Sequence, residues 1–433
     1  MNTESKRRIL ITGMGILSPI GIGVQAFQDS LMTGKSGVKK SELYSHLAAP
    51  DVCVAEVSDF NATTIKKEYL KQQRKSLKVM CREIQLGVAS ANLAMDDSAL
   101  DLSAVDSERF GIEFGANLML SPPEVLVGAC MAASEGHEFQ YQRWGGEGLA
   151  KMEPLWLLKY LPNMPACHIG IIIDARGPNN SITHAEASGN LVLGEAQRVI
   201  ERGWADVMVA GVTGTRVHEV KSIHAKFWDQ LADSPAEFEK RSRPFDKARS
   251  GQVLGEAACS LLLEEKSHAE QRGAKVWGEV LGTGASCVVK RDGSVDTKTA
   301  IANAIRLALK RADVEVGDIG HINAHGLGEQ VIDVQEYLAI QDIFGDKATQ
   351  IPVTALKSYF GNSGSACGIV EASGSLVGLK QGVIPATLNY ETPDPDCPLN
   401  VVRNEPLPTD NKLFLKISTT TFGQASASVI CGV

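Results

Sequence analysis

Short runs rich in β-branched and aliphatic residues, several ending in glycine, alternate along this chain with segments of helical periodicity. Strand-like runs are RRILITGMGILSPIG (7–21), HIGIII (168–173) and WADVMVAG (204–211), and helical ones are NLVLGEAQRVIERG (190–203) and KTAIANAIRLALKRA (298–312). Strands separated by helices of about 10 to 15 residues predict an α/β protein with largely parallel sheets.

With 433 residues the chain has ample length for a large core, which excludes the small folds that depend on disulfide or metal staples. Its first eight residues are polar and no run approaches the roughly 20 apolar residues that a bilayer span needs, so the expectation is a cytoplasmic protein with no membrane span. Nine cysteines scattered from Cys53 to Cys431, without CxxC pairs, read as reduced thiols and give no zinc framework. The 43 basic and 51 acidic residues give a net charge of −8, which gives no reason to expect nucleic acid as a partner. GMGILS (13–18) follows a strand like a phosphate loop, yet it lacks the third glycine and the later acidic residue of a dinucleotide site, and no cofactor is expected. One stretch, KKEYLKQQRKSLKVMCR (66–82), is densely basic and reads either as a solvated helix face or as a docking patch for an acidic partner.

The two halves share a loose plan. A strand near Asn180–Thr183 breaks at HAEASG and enters a helix, and VTALKSYFGNSGSACG (353–368) leads from a strand into GIVEASGSLVGLKQG. Small residues at such turns aim helix N-terminal N–H groups at one spot, which suits an anion or oxyanion. His325 in HINAHG follows a strand and precedes a permissive glycine, while Lys357 and Asn362 follow another strand end.

Seven motifs carry a resemblance: RRILITGMGILSPIG, LPNMPACHIGI, GPNNSITHAEASG, RPFDKARSGQVLGEA, INAHG, LKSYFGN and VEASGSLVGL. Their order and near spacing resemble the β-ketoacyl-acyl-carrier-protein synthases of the condensing-enzyme superfamily over essentially the whole chain. The resemblance implies a thiolase-like fold with duplicated halves, 1–255 and 256–433, in a five-layer αβαβα arrangement. It also implies a homodimer, or a heterodimer with a cysteine-bearing ketosynthase, acting with acyl carrier protein and its phosphopantetheine-linked acyl groups in fatty acid or polyketide biosynthesis.

The family's elongation step uses a cysteine at the turn before a helix, and Glu186 stands at the matching position here. A carboxylate is a poor acyl acceptor, so elongation by this chain alone is not expected. His325 matches the family's first histidine, Asn362 replaces its second, and Lys357, Asp333, Glu336 and Glu371 match its buried polar network. Leu327, Gly328 and Glu329 replace the Thr-Ser-Thr that resembles a pantetheine grip, and FGQAS (422–426) replaces a glycine-rich turn. An ionised Glu186 about 4 Å from a malonyl carboxylate would repel it by roughly 4 kcal/mol at an effective dielectric of 20.

Three readings follow. The first is a non-elongating partner subunit similar to a chain-length factor. The second is an unconventional enzyme with Glu186 as general base and His325 with Asn362 as oxyanion site, acting as a decarboxylase, a hydrolase or a non-covalent acyl transferase. The third is a module that holds an acyl carrier protein through the basic stretch.

Overall fold

The computed structural model describes residues 7–43 and 52–433. Two sets of five strands repeat one hydrogen-bonding pattern. In the first, Ile9–Ser18 pairs antiparallel with Leu254–Glu265, which pairs antiparallel with Val207–Thr215; Phe110–Ala116 and Asn179–Ile182 then follow in parallel. In the second, Gly278–Cys287 pairs antiparallel with Gln424–Gly432, which pairs antiparallel with Leu413–Thr419; His321–Asn323 and Pro352–Thr354 then follow in parallel. The sets meet where Ile9–Ile11 pairs with Gly278–Val280. The expected division between residues 255 and 256 falls inside Leu254–Glu265, a strand of the first set, and the connection between the two sets is 266–277.

In each half the strand at the parallel end feeds a buried helix, Ser188–Glu201 in the first and Cys367–Lys380 in the second. These two helices fill the space between the sheets, and their apolar residues, Val192 and Leu193 against Ile369 and Leu376, share one core with Ile11 and Leu261. They approach so closely that a Cβ on Gly189 would lie 2.7 Å from the Gly368 Cα, a contact only glycine permits. Outer helices cover the far faces: Arg82–Ser98 and Met164–Ile173 on the first sheet, Thr297–Ala312 and Gln330–Phe344 on the second. Helix, sheet, helix pair, sheet and helix make five layers, the thiolase-like arrangement.

Two expectations for local structure are corrected. HIGIII lies in the helix Met164–Ile173 and is not a strand. Pro165 presets the first turn, and Ala166, Ile169 and Ile173 are buried at helical spacing while Ile171 is 80% exposed; a strand would have put 169, 171 and 173 on one face. The basic stretch is not a helix face either. A single wide turn at Ile65–Tyr69 and a short tight one at Leu77–Val79 break it before the helix begins at Arg82, leaving Lys66, Lys67, Lys71, Arg74, Lys75 and Lys78 all exposed. Among the described residues no helix is long and apolar enough to cross a membrane.

Candidate active site

The strand Asn179–Ile182 ends in a tight turn at Ala185–Ala187 that runs directly into the helix Ser188–Glu201. Ala185 has a φ of 43°, a left-handed conformation that costs free energy in a residue with a Cβ and that the packed turn must hold. Ser426 anchors the turn by donating to the Ala187 carbonyl at 2.9 Å. This geometry delivers Glu186 to a cavity of about 340 Å³.

His325 reaches the same cavity from the second half. Its loop, just past the strand His321–Asn323, is pinned from the helix Gln330–Phe344: Glu336 accepts the N–H groups of His325 and Gly326 at 2.6 and 2.9 Å, and Asp333 accepts those of Leu327 and Gly328 at 2.9 and 3.1 Å. Burial pushes the Asp333 carboxyl up to about 6 and the Glu336 carboxyl up to about 7, although these backbone N–H groups pull the other way. Behind the imidazole, the Lys357 ammonium donates to Nδ1 at 3.1 Å and to the His325 carbonyl at 2.7 Å. Burial, reinforced by the charges of Lys357 and Lys416, holds the His325 pKa well below its ordinary value. The imidazole is therefore neutral, with Nδ1 accepting and Nε2 carrying the proton. Lys357 stays charged despite burial because Glu371 lies 2.7 Å away, and Lys416 pairs with the same carboxylate.

Asn362 closes the arrangement. Its Oδ1 accepts the Gly364 N–H at 2.9 Å and the Cys367 thiol at 3.3 Å, which fixes the amide's orientation. Its Nδ2 donates to Glu186 Oε1 at 2.9 Å and to Gln252 Oε1 at 2.7 Å. Both amide protons are thus spent. Arg216, at the end of the strand Val207–Thr215, donates to Gln252 Oε1 at 2.6 Å, approaches Glu186 Oε1 at 3.5 Å and pairs with Asp229. Gln252 in turn donates to Glu329 at 2.8 Å, and burial pushes the Glu329 carboxyl up to about 7.

Of the four residues singled out in the sequence, Glu186 and His325 line the cavity, Asn362 stands behind Glu186, and Lys357 stands behind His325. Asn362 does not stand open as an oxyanion donor, because the chain's own carboxylate already occupies it. Arg216 and Gln252 had no sequence signal beyond a position at a strand end or inside a quoted motif, and Asp229, just past the helix Glu219–Trp228, had none. Cys367 is 181 positions from Glu186 yet touches Asn362; it lies outside the described cavity lining, and burial pushes its thiol up to about 11. No cysteine is among the described residues that line the cavity, whose walls are otherwise largely apolar, with Leu118, Trp228, Leu327, Ile332 and Phe422.

Two like sheets around a pair of closely packed buried helices, with a cavity holding Glu186 and His325 beside them, define a condensing-enzyme scaffold of the thiolase-like class. Two family models match in tandem, the Beta-ketoacyl synthase N-terminal domain over residues 6–269 and the C-terminal domain over residues 277–391. The 3-oxoacyl-[acyl-carrier-protein] synthase 2 of Coxiella burnetii is 31% identical over 92% of this chain and 92% of that protein, and the one from Vibrio harveyi is 30% identical over 98% of both. Among solved structures, an ishigamide ketosynthase/chain length factor superposes with a TM-score of 0.83 at 28% identity, covering 99% of this chain and 100% of the other. A type II polyketide ketosynthase solved with its acyl-carrier protein and bound to a hexaketide gives 0.84 at 26% identity, with coverage of 99% and 100%. The chain belongs to the beta-ketoacyl synthase family.

Proposed function

We propose that this chain is a non-elongating ketosynthase-like subunit of fatty acid or polyketide assembly, similar to a chain-length factor, that dimerises with a cysteine-bearing ketosynthase. The observation that carries the reading is the Glu186 carboxylate at the turn before the buried helix, bound by Asn362 and facing a cavity whose described lining has no thiol. Covalent acyl transfer needs a nucleophile there, and this one is a carboxylate held in a hydrogen-bonded network. Kinship with a ketosynthase/chain length factor supports the pairing, and kinship with a ketosynthase caught with its carrier protein supports acyl carrier protein as the source of the chain. The six exposed cations from Lys66 to Lys78 form a surface fit for an acidic carrier domain.

A second reading rests on one feature of the site. His325 is neutral, with Nε2–H toward the cavity, the state in which an imidazole donates to a developing oxyanion. On this reading Glu186 releases Asn362, and the pocket acts on a thioester by itself, with Glu186 as base.

Product analysis separates the two. The purified chain is mixed with malonyl- and acyl-loaded carrier protein, with and without a catalytic ketosynthase. The partner-subunit reading expects no turnover alone, stable co-purification with the ketosynthase that Glu186→Ala leaves intact, and an altered product length. Turnover by the chain alone that disappears in His325→Ala overturns it in favour of the second reading.

A further inference from the structure

Donors of the kind that bind carboxylates surround Glu186: the Asn362 amide behind it, and the Arg216 guanidinium and the His325 imidazole in the cavity lining. The amide contacts Glu186 Oε1 directly and the guanidinium approaches the same oxygen. Asn362 cannot turn away without stranding the Gly364 N–H, so its donors point where Glu186 sits whether or not Glu186 is there. Gln252 bonds to both Asn362 and Arg216 and holds the pair in register.

We infer that Asn362 and Arg216 form a carboxylate-binding subsite and that Glu186 fills it as an internal ligand. The atoms of Glu186 beyond Cβ are a CH2 and a carboxylate, the skeleton of acetate. A Glu186→Ala variant therefore leaves a vacancy of acetate's size and charge preference. In the native protein the occupied subsite sets the substrate class. A neutral acyl thioester meets a filled, charge-matched wall, whereas a carboxylated thioester of the malonyl type meets a like charge on donors already in use. The inference concerns the pocket invoked above but rests only on the geometry around Glu186, and its test needs neither carrier protein nor a partner ketosynthase.

Thermal unfolding of the full-length chain and its Glu186→Ala variant is followed in acetate, with acetamide at the same concentration as the neutral isostere and sodium chloride matching ionic strength. The variant is expected to melt below the native protein and to regain stability in acetate but not in acetamide. At ten times the dissociation constant, acetate favours its folded form by roughly tenfold. The native protein shows no such response. Glu186→Ala combined with Asn362→Ala loses the rescue. Equal responses to acetate and acetamide, or equal rescue of native and variant proteins, overturn the inference. Should Glu186→Ala fail to fold, the native protein decides alone: a non-hydrolysable butyryl-pantetheine amide must bind at least about tenfold more tightly than its malonyl counterpart, a ratio equal to about 1.4 kcal/mol. Comparable binding of the two overturns it.

Discussion

Glu113 offers a test of the electrostatics that can be worked through from its surroundings. It sits in the strand Phe110–Ala116, opposite Asn180 on one side and Ala210 on the other, and is 1% exposed. Its one side-chain partner among the described residues is the Asn180 amide at 3.1 Å. Arg198 is close enough to help, but it is bonded to Glu195 at 2.6 Å. Burial, with the Glu195 charge adding to it, pushes the Glu113 carboxyl up to about 8 from an ordinary 4.5. A folded pKa above the unfolded one means a stability contribution that is complete below the unfolded value and lost as the pH rises through the folded one. The loss thus runs from pH 4.5 to about 8. At pH 7 the folded carboxyl is still protonated while the unfolded one is ionised, a gap of about 2.5 units at about 1.4 kcal/mol each, or about 3 kcal/mol. Above the folded pKa the full gap of about 3.5 units applies, about 5 kcal/mol.

Glu113→Gln keeps the shape and the bond to Asn180 without the titration. Urea unfolding of both proteins at pH 5, 7 and 9 should give free energies that differ by under about 1 kcal/mol at pH 5 and favour the variant by about 3 at pH 7 and about 5 at pH 9. A difference that stays under about 1 kcal/mol at all three pH values would refute the reasoning, since it would mean that the buried carboxyl ionises without penalty.

The helix crossing gives a second expectation. Gly189→Ala drives a Cβ against the Gly368 backbone and should destabilise by about 1–3 kcal/mol, while Gly128→Ala, in a helix with open space around it, should be neutral or slightly stabilising in the same melts. Lys357→Met removes one of the two ammonium groups on Glu371, and because Lys416 remains the cost should lie near about 3 kcal/mol, the lower end for a broken buried pair. The same substitution takes away the charge that helps keep His325 neutral. The His325 pKa should therefore move upward, read from 15N shifts of the imidazole; no upward movement would mean that the Lys357 charge plays no part in setting its state.

What the sequence made legible follows the range over which each signal acts. Strand ends and the helices that follow them are local, so the turns carrying Glu186, His325 and Asn362 could be read from runs of small residues after aliphatic ones. HIGIII misled because so short a run, four isoleucines in six residues, satisfies either period, and Pro165, three positions upstream, was the deciding mark. The basic stretch misled for the opposite reason: its cations were plain, but the turns at Ile65–Tyr69 and Leu77–Val79 follow from how Ile65, Leu70 and Met80 pack into the core. The chemistry of the site lay further out of reach. Glu186 had its meaning from the motif around it, yet its partners Arg216 and Asn362 come from two other segments, 30 and 176 positions away. A sequence shows which donors a chain owns but not which are already in use. That difference turns Asn362 from an open oxyanion donor into the partner of an internal carboxylate, and it only appears once both halves have folded around the same cavity.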